Sequence, residues 1–100
     1  LIRIPFEYWE YGYPNRLSMR AKYMYLICLY EAGQSTRYPF WFRSQKDISR
    51  LYGISDTTIS LGLQELEKQG VIEITRDKSS SPDFSKRKAN VYRMLALTRR

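Results

Sequence analysis

The stretch from Asp56 to Gln69 carries small hydroxyl and amide side chains at spacings that an α-helix would place on its outer side. Ile59, Leu63 and Leu66 recur at i, i+4 and i+7, which predicts one narrow buried stripe. Hydroxyl and amide groups can hydrogen-bond base edges or phosphates, and a leucine can contact a thymine methyl group. The side chains that the stripe leaves on or beside the outer face are Thr57, Thr58, Ser60, Leu61 and Gln64. This pattern favours contact with nucleic acid.

Basic residues flank this stretch more than they lie on it. Asp56 to Gln69 holds one base and three acids, whereas Arg76 to Lys88 holds five bases and two acids. The second segment ends in three consecutive bases, which are Lys86, Arg87 and Lys88. A further basic cluster precedes the helix and comprises Arg43, Lys46 and Arg50. Phosphate contacts position a protein while base contacts specify sequence, so this arrangement predicts phosphate-binding flanks around a reading helix.

A second, shorter helix is predicted just before the reading helix. Ser44 followed by Asp47 is a capping-box-like start, and Gly53 predicts the helix end. We expect Ile48 and Leu51 to face inward from this helix. Two helices joined by a glycine turn predict a helix-turn-helix unit.

The reading helix is expected to begin and end at recognisable residues. Ser55 is its predicted N-cap and Gly70 its predicted end, and the hydroxyl of Ser44, before the preceding helix, is also a candidate DNA contact. Gly62 is expected to let the preceding helix cross close by, because it has no Cβ. A strand beginning at Val71 and a partner over Val91 to Leu95 predict a β-hairpin, with the polar segment from Asp77 to Asn90 between them.

The first helix is predicted to begin at Asn15 or Ser18 and to stop at Gly33. One face shares helical spacing and should point to the core; it comprises Leu17, Ala21, Met24, Tyr25, Cys28 and Ala32. Tyr23, Leu26, Ile27 and Tyr30 lie on the other side. The irregular, aromatic lead from Leu1 to Pro14 should pack on something. If its Phe6, Trp9 and Tyr11 do not cover the second face, the exposed patch predicts a homodimer through this helix and the lead.

Several classes of function are excluded or disfavoured by composition. The chain has no His and one Cys, Cys28, so His-based catalysis and His-containing metal sites are excluded and no internal disulfide can form. We expect no enzyme activity, catalytic residue, metal or cofactor. No apolar run reaches the roughly 18 residues that span a bilayer, so no membrane partner is expected, and the free thiol fits the cytoplasm. A net charge of +7 favours a polyanionic partner.

One run of residues reads Tyr52-Gly53-Ile54-Ser55-x-x-Thr58-Ile59-Ser60 and continues as Leu63-x-x-Leu66-x-x-x-Gly70-Val71-Ile72. This run resembles the winged helix-turn-helix of GntR-type bacterial regulators. Two further stretches are Leu17-Ser18-x-x-Ala21-Lys22-x-x-Tyr25-Leu26 and Asn90-Val91-Tyr92-Arg93. These stretches look more like the winged-helix domains of phage and plasmid replication proteins. The resemblance implies a three-helix core with a β-hairpin wing and the helix from Asp56 in the major groove. It also implies DNA contacts from Ser55, Thr57, Thr58 and Ser60, and from the Lys86 to Lys88 tip.

These observations predict a mainly α fold with a small β-hairpin, a winged helix-turn-helix. Residues 1–14 would be an N-terminal extension, 15–95 the domain and 96–100 a C-terminal tail. The expected function is double-stranded DNA binding, in a transcriptional regulator or a replication-initiation module. The alternative is a winged-helix module that binds protein and touches DNA little or not at all.

Overall fold

The computed structural model describes residues 3–76 and 90–98. Over these residues the chain forms five helices and one three-stranded antiparallel sheet. A small mixed α/β domain results, in which helices predominate. The elements in chain order are α1 (Phe6–Glu10), α2 (Tyr13–Arg16), α3 (Met19–Gln34), β1 (Phe40–Arg43), α4 (Gln45–Tyr52), α5 (Asp56–Lys68), β2 (Ile72–Thr75) and β3 (Asn90–Met94).

The aromatic N-terminal segment is helical, so the prediction of an irregular lead was wrong. Gly12, at φ 75°, separates α1 from α2 and lets the chain change direction there. This turn brings Tyr8 and Tyr13 into the same core, and the Tyr8 ring stacks on Tyr25 of α3 with centroids 5.2 Å apart. The Tyr13 hydroxyl donates to the carbonyl oxygen of Thr98 at 2.9 Å, which joins the two ends of the described chain.

Helix α3 is the longest element and packs against α5 through its predicted inner face. Its N-cap is Ser18, whose Oγ accepts a hydrogen bond from the Ala21 amide at 3.3 Å. The helix continues through Gly33 to Gln34 because the backbone at Gly33 stays helical, so the predicted stop at Gly33 was wrong. Within the inner face, the residues that are completely buried are Ala21, Met24, Cys28 and Ala32.

The sheet has β3 at its centre, paired with β1 on one side and β2 on the other. Trp41 pairs with Tyr92, and Tyr92 pairs in turn with Ile74. These residues share the inner face, where the Trp41 and Tyr92 rings stack at 4.0 Å. The predicted antiparallel pairing of the last two strands is confirmed.

Helices α4 and α5 have the predicted caps. The Ser44 Oγ accepts from the Asp47 amide at 3.1 Å, and Gly53 ends α4 at φ 66°. Ile48 is completely buried, but Leu51 is 57% exposed, so the prediction that both face inward was wrong. Only one side of this two-turn helix meets the core, and Leu51 lies on a side that no described element covers.

The glycine in the middle of α5 has the predicted role but a different partner. A Cβ on Gly62 would lie 2.5 Å from the Met24 Cγ and 3.1 Å from the Arg20 carbonyl oxygen, both on α3. The element that crosses close by is therefore α3 and not the preceding helix α4. Among the described helices, none is both long and apolar enough to cross a lipid bilayer.

Candidate nucleic-acid interface

The outer side of α5 carries a continuous row of exposed side chains. Thr57, Leu61, Gln64 and Lys68 are all exposed and follow one another at i, i+4, i+7 and i+11, which places them on one face. We call this row the α5 outer row. Three of its members were predicted from the sequence. Lys68, the fourth member, was not among the predicted contacts, although its spacing from Gln64 indicates that it lies on the same face.

Three other predicted contacts form hydrogen bonds at the start of α5 or within it. The Ser55 Oγ accepts from the Thr58 amide at 3.2 Å and donates to the Thr58 Oγ1 at 2.9 Å. Ser55 therefore serves as the N-cap of α5, a role that Ser, Thr, Asp and Asn fill best. Ser60 is half-buried, and its Oγ accepts from the Gln64 amide group at 3.4 Å. Because the Thr58 hydroxyl accepts from Ser55, its own hydrogen is left to donate.

Two of the three acidic side chains of α5 form hydrogen bonds or an ion pair with neighbouring elements. The Glu65 carboxylate accepts from the backbone amide and the hydroxyl of Ser18, both at 2.7 Å. These hydrogen bonds hold the pKa of Glu65 below its ordinary value. The Glu67 carboxylate pairs with the Arg76 guanidinium at 2.8 Å. Asp56 is the remaining acid of α5, and its place in the first turn suits the helix dipole.

The basic cluster before α5 divides into one engaged and two exposed residues. The Arg43 Nε donates to the Glu31 carboxylate at 2.8 Å, and this bond raises the pKa of Arg43. Lys46 and Arg50 are exposed on α4. Arg43, although predicted as a DNA contact, is therefore part of an ion pair with Glu31, while Lys46 and Arg50 stand free of the ion pairs that the structure describes.

The Glu31 side chain joins three elements. It is buried in α3 and accepts from Arg43 of β1 and from the Tyr52 hydroxyl of α4 at 2.7 Å. Burial and this hydrogen bond raise the pKa of Tyr52. A buried carboxylate that is satisfied by two donors fixes the position of α4 relative to α3, and so the position of Lys46 and Arg50.

The predicted basic tip, Lys86, Arg87 and Lys88, lies outside the described residues, as does the segment 77–89 that contains it. Within the described ranges, no group of three or more acidic or cysteine side chains could hold a metal ion. Cys28 is fully buried, and burial raises the pKa of its thiol. Comparison of the chain with protein families, curated proteins and solved structures gives no match.

Proposed function

We propose that this chain is a winged helix-turn-helix domain that binds double-stranded DNA with α5 in the major groove. In this assignment α3, α4 and α5 are the three core helices, and β2 and β3 are the two strands of the wing. The short turn between α4 and α5, which contains Gly53, is the turn of the motif. The order of these elements along the chain supports the proposal.

The α5 outer row is the observation that carries the proposal. A helix of 13 residues is about 20 Å long, and the major groove, about 12 Å wide, admits one. The row offers a hydroxyl, an amide and an apolar side chain for base edges, and Lys68 for a phosphate. The pairing of Glu65 and Glu67 with neighbouring groups reduces the repulsion that these carboxylates would exert on DNA.

Phosphate contacts in this proposal come from the flanks. Lys46 and Arg50 lie on α4, which a short turn joins to α5. The basic tip from Lys86 to Lys88 would reach the DNA backbone or a minor groove. The domain would act in the cytoplasm, in a transcriptional regulator or in a replication-initiation protein. Both roles use the same contacts with duplex DNA.

The experiment that tests the proposed reading helix separates sequence preference from affinity. A randomised duplex library would be selected with the wild-type chain and with Leu61→Ala, Gln64→Ala and Thr58→Val variants. Each substitution should alter the selected bases, since a lost base contact is worth about 1–3 kcal/mol of discrimination. An Arg37→Ala variant, which removes an exposed base from the turn after α3, is the matched control. Unchanged preferences in all three α5 variants would contradict the assignment.

A module that binds protein is the second candidate function, and one observation favours it. Several large apolar side chains of α3 are exposed, among them Tyr23, Leu26 and Tyr30. Exposed apolar rows of this kind are typical of protein interaction surfaces. If the chain bound no duplex, this surface would become the main functional site.

A further inference from the structure

Helix α3 presents a second apolar face that the described elements leave partly exposed. Met19, Tyr23, Leu26 and Tyr30 are 78, 50, 38 and 41% exposed, and Gly33 is exposed beyond them. These five residues, which we call the α3 stripe, are spaced by four, three, four and three positions. That is the spacing of the a and d positions in a heptad, whose side chains pack against a neighbouring helix. The face is therefore built like half of a helix–helix interface.

A groove beside the stripe can receive side chains from such a neighbour. It has a volume of about 400 Å³ and is lined by Tyr23, Leu26, Ile27, Tyr30 and Tyr52. Ile27, which the sequence placed with the exposed residues, is only 5% exposed and forms the floor. Neither Phe6 nor Trp9 of the N-terminal segment lines the groove, and both are exposed at 71 and 57%. Phe6 and Trp9 therefore leave this groove uncovered.

Nothing in the described structure of a single copy requires glycine at position 33. Its φ is not positive, and a Cβ added there would meet nothing within 4 Å. Glycine inside a helix is less favourable than alanine, so an exposed helical glycine without a local reason is unexpected. A helix packed on the α3 stripe would explain glycine at this position, because a residue without Cβ lets a large side chain of that helix approach closely.

We propose that the α3 stripe is the interface between two copies of this chain, with their α3 helices antiparallel. In the register that sets Tyr23 opposite Gly33 of the partner subunit, Leu26 faces Tyr30 of the partner subunit. Large side chains then lie opposite small ones at both ends of the contact. A two-fold axis produces this match twice, as a self-complementary interface requires.

The charges on α3 favour the antiparallel arrangement of two identical helices. Arg20 and Lys22 flank the N-terminal end of the stripe, and no acid lies between Met19 and Tyr30. Antiparallel packing places these bases beside the C-terminal end of the partner's helix, where the backbone carbonyls carry partial negative charge. Parallel packing would instead set the bases of the two copies side by side. Glu31, the one acid of α3, already pairs with Arg43.

The first test measures oligomeric state by sedimentation velocity over a dilution series. The wild-type chain should be a concentration-dependent dimer, and Leu26→Lys should be monomeric throughout. Leu61→Lys is the matched control, because Leu61 is also 38% exposed but lies on α5, and it should dimerise as the wild type does. A wild-type chain that stays monomeric up to about 1 mM would overturn the proposal, since a dimer weaker than this gains about 4 kcal/mol or less.

Gly33→Leu gives a test that loss of folding cannot imitate. Leucine favours the helix, so the helical circular dichroism of the variant should be equal to or greater than that of the wild type. Because the new side chain would collide with Tyr23 of the partner subunit, the dimer dissociation constant should rise at least about tenfold. An unchanged constant would show that Gly33 does not lie at the interface and would overturn the proposed register.

Orientation can be read from disulfide cross-linking, because the native Cys28 is fully buried and should not react. A Tyr23→Cys variant mixed with a Gly33→Cys variant should cross-link efficiently in the antiparallel dimer. Tyr23→Cys alone should cross-link poorly. In the antiparallel dimer, position 23 of one copy and position 23 of the other lie ten residues apart along the helix axis, which is about 15 Å. Strong cross-linking of Tyr23→Cys with itself would instead show a parallel pair. Dimer formation does not depend on DNA binding, so failure here would leave the proposed function standing.

Discussion

Glu65 of α5 has a different role in the structure from the one that its position in the sequence suggests. In the sequence it is an acid on a helix expected to face phosphates. In the structure its carboxylate accepts two hydrogen bonds at the start of α3, from the Ser18 amide and hydroxyl. The carboxylate therefore satisfies an amide at a helix N-terminus, where negative charge is favourable. It ties α5 to α3.

This contact predicts a pH-dependent contribution to stability. The folded pKa of Glu65 is lowered, so its stabilisation is present above the ordinary glutamate pKa and is lost as pH falls through the folded value. Glu65→Gln should lower the free energy of unfolding by about 1 kcal/mol at neutral pH, a value reduced for the exposure of the contact. Below the lowered pKa the wild type and the variant should converge.

Urea unfolding at about pH 7 and about pH 3 measures this difference. Glu7→Gln, which changes an exposed carboxylate on α1, is the control and should stay within about 0.5 kcal/mol of the wild type. A gap between wild type and Glu65→Gln that is equal at both pH values would show that the carboxylate charge has no part in the contact.

Among the helices and strands, α3 and α5 cross closely at Gly62. A Cβ there would fall 2.5 Å from the Met24 side chain and 3.1 Å from a backbone carbonyl. Gly62→Ala should therefore destabilise the domain by about 1–3 kcal/mol through overpacking, although alanine is the better helix former. Thermal or urea unfolding checks the value.

Gly33→Ala is the matched control for this substitution. Both glycines are helical, but a Cβ at Gly33 meets open space, so the variant should gain about 0.5–1 kcal/mol. Both variants should be compared in a Leu26→Lys background, so that dimer formation does not contribute. If Gly62→Ala were as stabilising as Gly33→Ala, the close approach of α3 and α5 would be refuted.

The sequence predicted the ends of several helices well because capping is a local event. Ser44, Ser55 and Gly53 need only their neighbours in the chain to act as caps. Leu51 could not be placed, since its exposure depends on which elements cover α4. The same holds for Arg43 and Arg76, whose ion pairs join residues that are distant in sequence or lie on different elements. The sequence therefore predicts contacts between neighbouring residues, such as helix caps, but not contacts between residues on different elements.

The candidate site was predicted in part for the same reason. The exposed positions of α5 follow from the buried stripe, because the helical period fixes one face once the other is known. The state of the acids does not follow from that period. Their hydrogen bonds with Ser18 and Arg76 come from α3 and from the end of β2, and only the folded domain brings these groups together.

At the scale of the whole molecule, the two proposed surfaces lie on different helices and do not compete. The α5 outer row would meet DNA, and the α3 stripe would meet a second copy. An antiparallel pair would present two α5 helices and predict two half-sites related by two-fold symmetry, about one helical turn of DNA apart. Linking two weak contacts in this way would raise affinity through effective concentration.

A salt titration tests the proposal that this domain binds duplex DNA. Fluorescence anisotropy with a random-sequence duplex should give an observed binding constant that falls linearly with salt on a log–log plot. Lys46→Ala with Arg50→Ala, and separately Lys86→Ala, Arg87→Ala and Lys88→Ala together, should weaken binding to all duplexes and flatten the slope. Absence of duplex binding by the wild-type chain, even near about 50 mM salt, would rule out the proposed DNA-binding function.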